Sequence, residues 1–129
     1  MPTGLPAITG DVLTASNYNS LVAFTVGTAN TGDYTAVLAD AYQVLEVMNK
    51  ATAIAFKIPT DASVAFPVGT ALTVLNIGVG LCTISAVTPG TTTVLSAGAV
   101  PASPTLAQYK TAVCIKTGAN AWYVVGGIA

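Results

Sequence analysis

Thr52-Ala53-Ile54-Ala55-Phe56-Lys57-Ile58 decides the fold class of this chain. Ile54, Phe56 and Ile58 alternate with Ala53, Ala55 and Lys57, and successive side chains of an extended strand point to opposite faces. A period of two with one large apolar face predicts a half-buried β-strand, where a helix would need a period of 3.6. Residues 108–116 read the same way, with Tyr109, Val113 and Ile115 opposing Lys110, Cys114 and Lys116. Residues 41–48 and 70–77 are apolar on both sides, as in the middle of a sandwich or in an intersubunit contact.

Working outward, residues 81–87, 92–95 and 121–125 complete about eight short strands rich in Val, Ile, Thr and aromatics. Turn residues separate them: Pro59-Thr60-Asp61, Pro67-Val68-Gly69, Gly78-Val79-Gly80, Pro89-Gly90, Pro101 to Pro104 and Gly118-Ala119-Asn120. Gly78-Val79-Gly80 reads as a hairpin turn. The pattern predicts an all-β fold, an antiparallel β-sandwich or jelly-roll-like barrel. Ahead of it, residues 1–10 carry Pro2, Gly4, Pro6 and Gly10 and read as an extended arm. Thr14 is a candidate N-cap, and Tyr18, Leu21 and Val22 share one face at helical spacing, which predicts one short helix. Residues 27–32 read as a loop. The chain therefore divides into an arm, helix and linker over 1–32 and a β domain over 33–129.

Charge is scarce. Four lysines, four aspartates and one glutamate are the only charged side chains among 129 residues, and there is no histidine. An ordinary domain is roughly a quarter charged. A monomer of this size exposes on the order of 6,000 Å², so each charge would serve about 700 Å² of it. Such a surface is expected to be covered by copies of the chain or by a larger particle. Four scattered lysines supply no patch for a phosphate backbone, which excludes strong nucleic-acid binding. No apolar run approaches the roughly 20 residues of a membrane span; residues 94–100 are interrupted by Ser96 and Gly98. The opening Met-Pro-Thr-Gly-Leu-Pro lacks a cationic region followed by an apolar block, so no secretory signal is expected and synthesis in a cytoplasm is. Asp33, Asp40, Asp61 and the lysines fall near turns or on outward faces, where water should reach them. Glu46 lies in an apolar strand and is expected to form a salt bridge across a subunit boundary.

Catalytic groups are equally scarce. Without histidine no Ser-His or Cys-His arrangement is possible, and no spacing recommends zinc. Asp33 and Asp40 could hold a hard cation, but Asx-turn capping accounts for both. Gly78-Val79-Gly80 precedes no helix and is no phosphate cradle. No enzyme activity, cofactor or metal is expected. Cys82 and Cys114 read as buried free thiols, with one disulfide as the alternative. Trp122 and Tyr123 are adjacent, so only one enters the core. The other, with Tyr109, anchors an interface or offers a platform for a sugar ring.

Residues 34–127 resemble a small β domain of tailed-bacteriophage structural proteins, found at fibre ends and as stand-alone virion proteins. The resemblance is carried by Asp40-Ala41 before a strand, Ile58-Pro59 closing the next, Phe66-Pro67-Val68-Gly69-Thr70, Asn76-Ile77-Gly78-Val79-Gly80 and Trp122-Tyr123-Val124-Val125-Gly126. Residues 10–19, Gly-Asp-Val-Leu-Thr-Ala-Ser-Asn-Tyr-Asn, are similar to the lead-in of such proteins. Tyr42 departs from the pattern, which more often has Gly there. The resemblance implies a non-enzymatic virion component assembled in a host cytoplasm, usually a homotrimer. A stand-alone chain of this length suits a capsid decoration (cement) protein on the capsid exterior, clamping neighbouring major capsid subunits. The alternative is a short head or tail fibre module that binds a host glycan. Expected partner contacts are Leu5, Ile8, Val12, Leu13, Tyr18, Leu21, Val22 and Phe24. Expected oligomer contacts are Tyr42, Glu46, Tyr109 and Tyr123.

Overall fold

A computed structural model describes residue 15 and residues 23–96 and 104–128. Within these residues the chain winds back and forth between two sheets. β1 (Thr25–Val26), β3 (Val44–Met48) and β5 (Ala71–Asn76) lie side by side and parallel in the larger sheet. β2 (Tyr34–Thr35), β4 (Ile54–Ile58) and β6 (Cys82–Ala86) do the same in the smaller one. Each step along the sequence changes sheet, so three successive strand pairs form three turns of a flattened coil. A 3-10 turn over Leu38–Ala41 leads from β2 into β3.

The remaining strands close the coil. β9 (Lys110–Gly118) runs antiparallel to β5, and β10 (Ala121–Gly126) folds back on β9. β7 (Thr93–Ser96) lies parallel to β10 at the far edge, and β8 (Thr105–Leu106) closes antiparallel on β6. The order is β1-β3-β5-β9-β10-β7 in the six-stranded sheet and β2-β4-β6-β8 in the four-stranded sheet.

The all-β expectation is met, as two mixed sheets. Antiparallel pairing throughout is not: five of the eight strand pairs are parallel. Parallel neighbours need a long crossover, and here a strand of the opposite sheet supplies it. Ten strands are formed among the described residues, because β1, β2 and β8 have two residues each and show no periodicity. β1 already pairs with β3, so β structure begins ahead of residue 33. The expected arm over 1–10 lies outside the described residues, as does the expected helix apart from Ala15.

Gly78-Val79-Gly80 is not a hairpin, since β5 and β6 belong to different sheets. It is a corner of the coil stacked on the preceding corner. The Gly80 N–H donates to Lys50 O at 2.9 Å, and the Ile54 N–H donates to Leu81 O at 3.0 Å. A Cβ on Gly80 would lie 1.9 Å from Thr52 O, and one on Gly78 would lie 2.4 Å from Lys50 N. Glycine is present because backbone packs on backbone. Buried Asn76 fixes the same corner, its Nδ2 donating to Gly80 O and Leu106 O, both at 2.9 Å, and its Oδ1 accepting from the Gly78 N–H at 3.1 Å. Gly80→Ala should therefore cost more than the roughly 1–3 kcal/mol of ordinary overpacking, because the rungs must separate. Gly90→Ala, with nothing within 4 Å of the added methyl, should be neutral within about 1 kcal/mol. Urea unfolding of the two variants checks the contrast.

The inward faces of both sheets meet in one core. Phe56, Ile58, Ile84 and Leu106 come from the smaller sheet, and Met48, Leu72, Val74, Val94, Trp122 and Val124 from the larger. Phe66 packs edge-on against Trp122 with centroids 5.5 Å apart. Cys82 and Cys114 are free and buried. Burial pushes their thiols up to about 11 and about 12, so neither ionises at neutral pH.

Candidate interaction face

Strand alternation gives each sheet an outer face, and the two outer faces differ in chemistry. On the smaller sheet the outward positions are Thr35, Ala55, Lys57, Thr83, Ser85 and Thr105. This face is polar. Asp33 Oδ2 lies 3.8 Å from Lys57 Nζ, and Asp33 Oδ1 accepts from the Ala55 N–H at 2.9 Å.

On the larger sheet the registers align three rows of outward side chains. One row runs Leu95, Tyr123, Ile115, Ala71 across β7, β10, β9 and β5. The next runs Val125, Val113, Thr73, Leu45, Val26 across β10, β9, β5, β3 and β1. The third is Thr111, Leu75, Val47. No outward position of this sheet among the described residues is charged. Five strand spacings of about 4.8 Å by about 17 Å of strand length make a flat face of about 400 Å². About 400 Å² is within the roughly 300–600 Å² that the largest apolar patch of an ordinary monomer spans, so the absence of charge, more than the size, sets this face apart.

Alternation alone misassigns one strand of this face. Val113 and Ile115 have the apolar pattern of core residues, yet Ala112, Cys114 and Lys116 are buried instead. The cause is Lys116, which is 3% exposed. Its Nζ donates to Asp61 Oδ1 at 2.7 Å and to Phe66 O at 2.6 Å. Asp61 Oδ2 accepts from the Asn120 N–H at 3.1 Å, and the Asp61 N–H donates to Asn120 Oδ1 at 2.9 Å. The hydrogen bond from Lys116 holds the Asp61 carboxyl below its ordinary value. Satisfied in this way, a lysine faces inward and two large aliphatic residues face out. The outward placement was legible in one respect: a buried Cys114 forces its neighbours at one-residue spacing to the opposite face.

The expected contact residues are dispersed. Tyr123, 46% exposed, lies on the charge-free face beside Leu95 and Ile115, while Trp122 takes the core position. Tyr42 is exposed at the end of the 3-10 turn, Phe24 is exposed just before β1, and Tyr109 projects from the turn into β9 at φ 63. Leu5, Ile8, Val12, Leu13, Tyr18, Leu21 and Val22 lie outside the described residues.

Glu46 corrects its expectation. It points inward on the core side of β3 and is 7% exposed, so it bridges no boundary on the outer face. Asn30 Nδ2 donates to Glu46 Oε2 at 3.1 Å. Asp40, also buried and also expected in water, accepts from the Tyr34 hydroxyl at 2.8 Å and from the Val37 N–H at 2.9 Å. Burial pushes the Glu46 carboxyl up to about 7, and the Asp40 carboxyl adds to the push. Burial and then Asp40 raise the Tyr34 hydroxyl above its ordinary value.

Among the described residues no group of three or more Cys, Asp and Glu is placed to hold a metal ion, and no helix is long and apolar enough to cross a membrane. Comparison with protein-family models, curated proteins and solved structures found no match.

Proposed function

We propose that this chain is a non-enzymatic virion structural protein of a tailed bacteriophage, a capsid decoration (cement) protein. It assembles with copies of itself as a homotrimer and clamps neighbouring capsid subunits from the capsid exterior. In this reading the two mixed sheets form a β-sandwich whose polar sheet faces water and whose charge-free sheet faces the other copies. The charge-free outer face is the observation that carries the reading. A heterologous partner is usually selected by complementary charge, and this face offers none, which suits packing against like copies.

Size also bears on the assembly. About 400 Å² is half of the roughly 800 Å² that one partner brings to a standard interface. Contacts beyond the sheet are therefore needed, and exposed Phe24, Tyr42 and Tyr109 extend the surface available for them. The competing reading is a fibre module that binds a host glycan. Tyr109 and Tyr123 do not favour it: Tyr123 pairs with Ile115, six residues along β9 from Tyr109, a separation of about 20 Å. They form no shared sugar platform.

Quantitative mass spectrometry of purified particles tests the proposal. A decoration protein is expected at a copy number comparable with that of the major capsid protein. A handful of copies per particle would favour the fibre reading, and absence from particles would contradict both.

A further inference from the structure

Along one side of the coil the loops stack in tiers. Lys50 follows β3, Gly78 and Val79 lie between β5 and β6, and Gln108 and Tyr109 lead into β9. The Gly80 N–H donates to Lys50 O at 2.9 Å, which seats the second tier on the first. The Tyr109 N–H donates to Asn76 O at 2.6 Å and Gln108 Nε2 to Ile77 O at 3.2 Å, which seats the third on the second. Lys110 pairs across the sheet with Asn76, and Asn76 pairs with Met48, two residues before Lys50. Two strand spacings and two residues therefore separate the Cα atoms of Lys50 and Lys110 by about 12 Å. The Lys110 stem rests beside Gly127, where a Cβ would lie 3.1 Å from its Cδ. The two lysines bracket Val79 and Tyr109.

This corner departs from the rest of the surface in three ways. Val79 and Tyr109 are 71% and 75% exposed, the highest values among the large apolar side chains of the described residues. Tyr109 holds a φ of 63, which glycine adopts freely and a tyrosine does not. Neither feature helps a lone chain to fold. The charge is unbalanced as well. Lys57 lies 3.8 Å from Asp33 and Lys116 lies 2.7 Å from Asp61, whereas Lys50 and Lys110 have no carboxylate within 4 Å among the described residues.

We propose that this corner docks an acidic segment of a different protein. Lys50 and Lys110 pair with two of its carboxylates, and Val79 and Tyr109 pack against the chain between them. About 12 Å corresponds to roughly four residues of an extended segment. A second copy of this chain is a poor occupant. Asp33 and Asp61 are engaged by lysines and Asp40 and Glu46 are buried, so the described residues offer no free surface carboxylate. Two lysines are too few for a phosphate backbone, whose binding draws on many cationic contacts. Complementary charge selects among unlike partners, so the chain divides its contacts between a charge-free sheet for like copies and a charged corner for another protein. Phe24 and Tyr42 remain to extend the contact between copies. In the proposed virion the other protein would be a capsid subunit, but the corner does not rest on that reading.

NMR titration of the full chain at low salt tests the corner. The probe is a blocked pentapeptide with glutamate at its first and last positions, leucine at the second and fourth, and glycine between them. Amide shifts should be concentrated at Val79, Tyr109 and Lys110 and should saturate in the low millimolar range, about what two exposed ion pairs and a small apolar contact supply. Replacing both Lys50→Gln and Lys110→Gln should weaken binding about tenfold, and Lys57→Gln should leave it unchanged. Tyr109→Gly should weaken binding about threefold without lowering the urea midpoint, because the residue is held against the preference of its backbone. Equal binding of the same peptide with glutamine for glutamate, or unchanged affinity in the double lysine variant, would overturn the proposal. So would tighter binding of oligothymidylate, and a lowered midpoint in Tyr109→Gly would return that residue to the fold and overturn its part. The peptide reads the corner alone, so absence of the chain from phage particles would leave this result standing.

Discussion

Asp61→Ala should destabilise the fold by about 3–5 kcal/mol, the range for removing one partner of a buried ion pair. The Lys116 side chain is almost fully buried, and its remaining partner would be the Phe66 carbonyl alone. The ammonium would then be uncompensated in the interior beside Trp122 and Phe66. The same change also removes the acceptor of the Asn120 N–H, so the hairpin joining β9 to β10 keeps only the bond from the residue 61 N–H to Asn120 Oδ1. Lys116→Met should cost less, about 1–3 kcal/mol, because it removes the charge and leaves Asp61 partly in water. Urea unfolding of both variants checks the order. The pH dependence carries a definite sign. Asp61 is held low by Lys116, so its stabilisation is present above the ordinary Asp value of about 3.9 and is lost as pH falls below it. Glu46 is held high, so its contribution is lost as pH rises toward 7. Stability should therefore peak on the acid side of neutrality, near pH 5.

The second large effect concerns association. Tyr123→Lys places a charge in the middle of the uncharged face, between Leu95 and Ile115. In the lone chain the new ammonium reaches water while its stem lies along the sheet, so the fold should change by no more than about 1 kcal/mol. In an assembly that covers this face, the charge is buried without a partner. A penalty of about 3 kcal/mol weakens association more than 100-fold. Thr83→Lys places the same charge on the outer face of the smaller sheet and should leave association unchanged. Circular dichroism verifies folding of both, and sedimentation velocity reads the difference.

How much of this was legible in the sequence depends on what each residue had to satisfy. Ile54, Phe56 and Ile58 were readable because period-two alternation and a one-sided core coincide in β4. The turn residues marked where strands end but not where the chain goes next, and glycines that permit backbone stacking look the same as glycines of a hairpin. The parallel coil was hidden for that reason. The outer face was half visible, in strands apolar on both sides. Val113 and Ile115 were misread because alternation cannot weigh a lysine that finds a buried carboxylate 55 residues away in sequence. Asp40 and Glu46 were unreadable as a pair, since only the coil brings the 3-10 turn over β3.

In the proposed assembly, copies of this chain cover the outer face of the six-stranded sheet. Sedimentation equilibrium of the full chain tests it most directly. The expected result is a closed oligomer, a trimer in the proposed assembly, that Tyr123→Lys converts to a folded monomer while Thr83→Lys does not. A chain that remains monomeric at high micromolar concentration, or an oligomer indifferent to a charge at position 123, would contradict it.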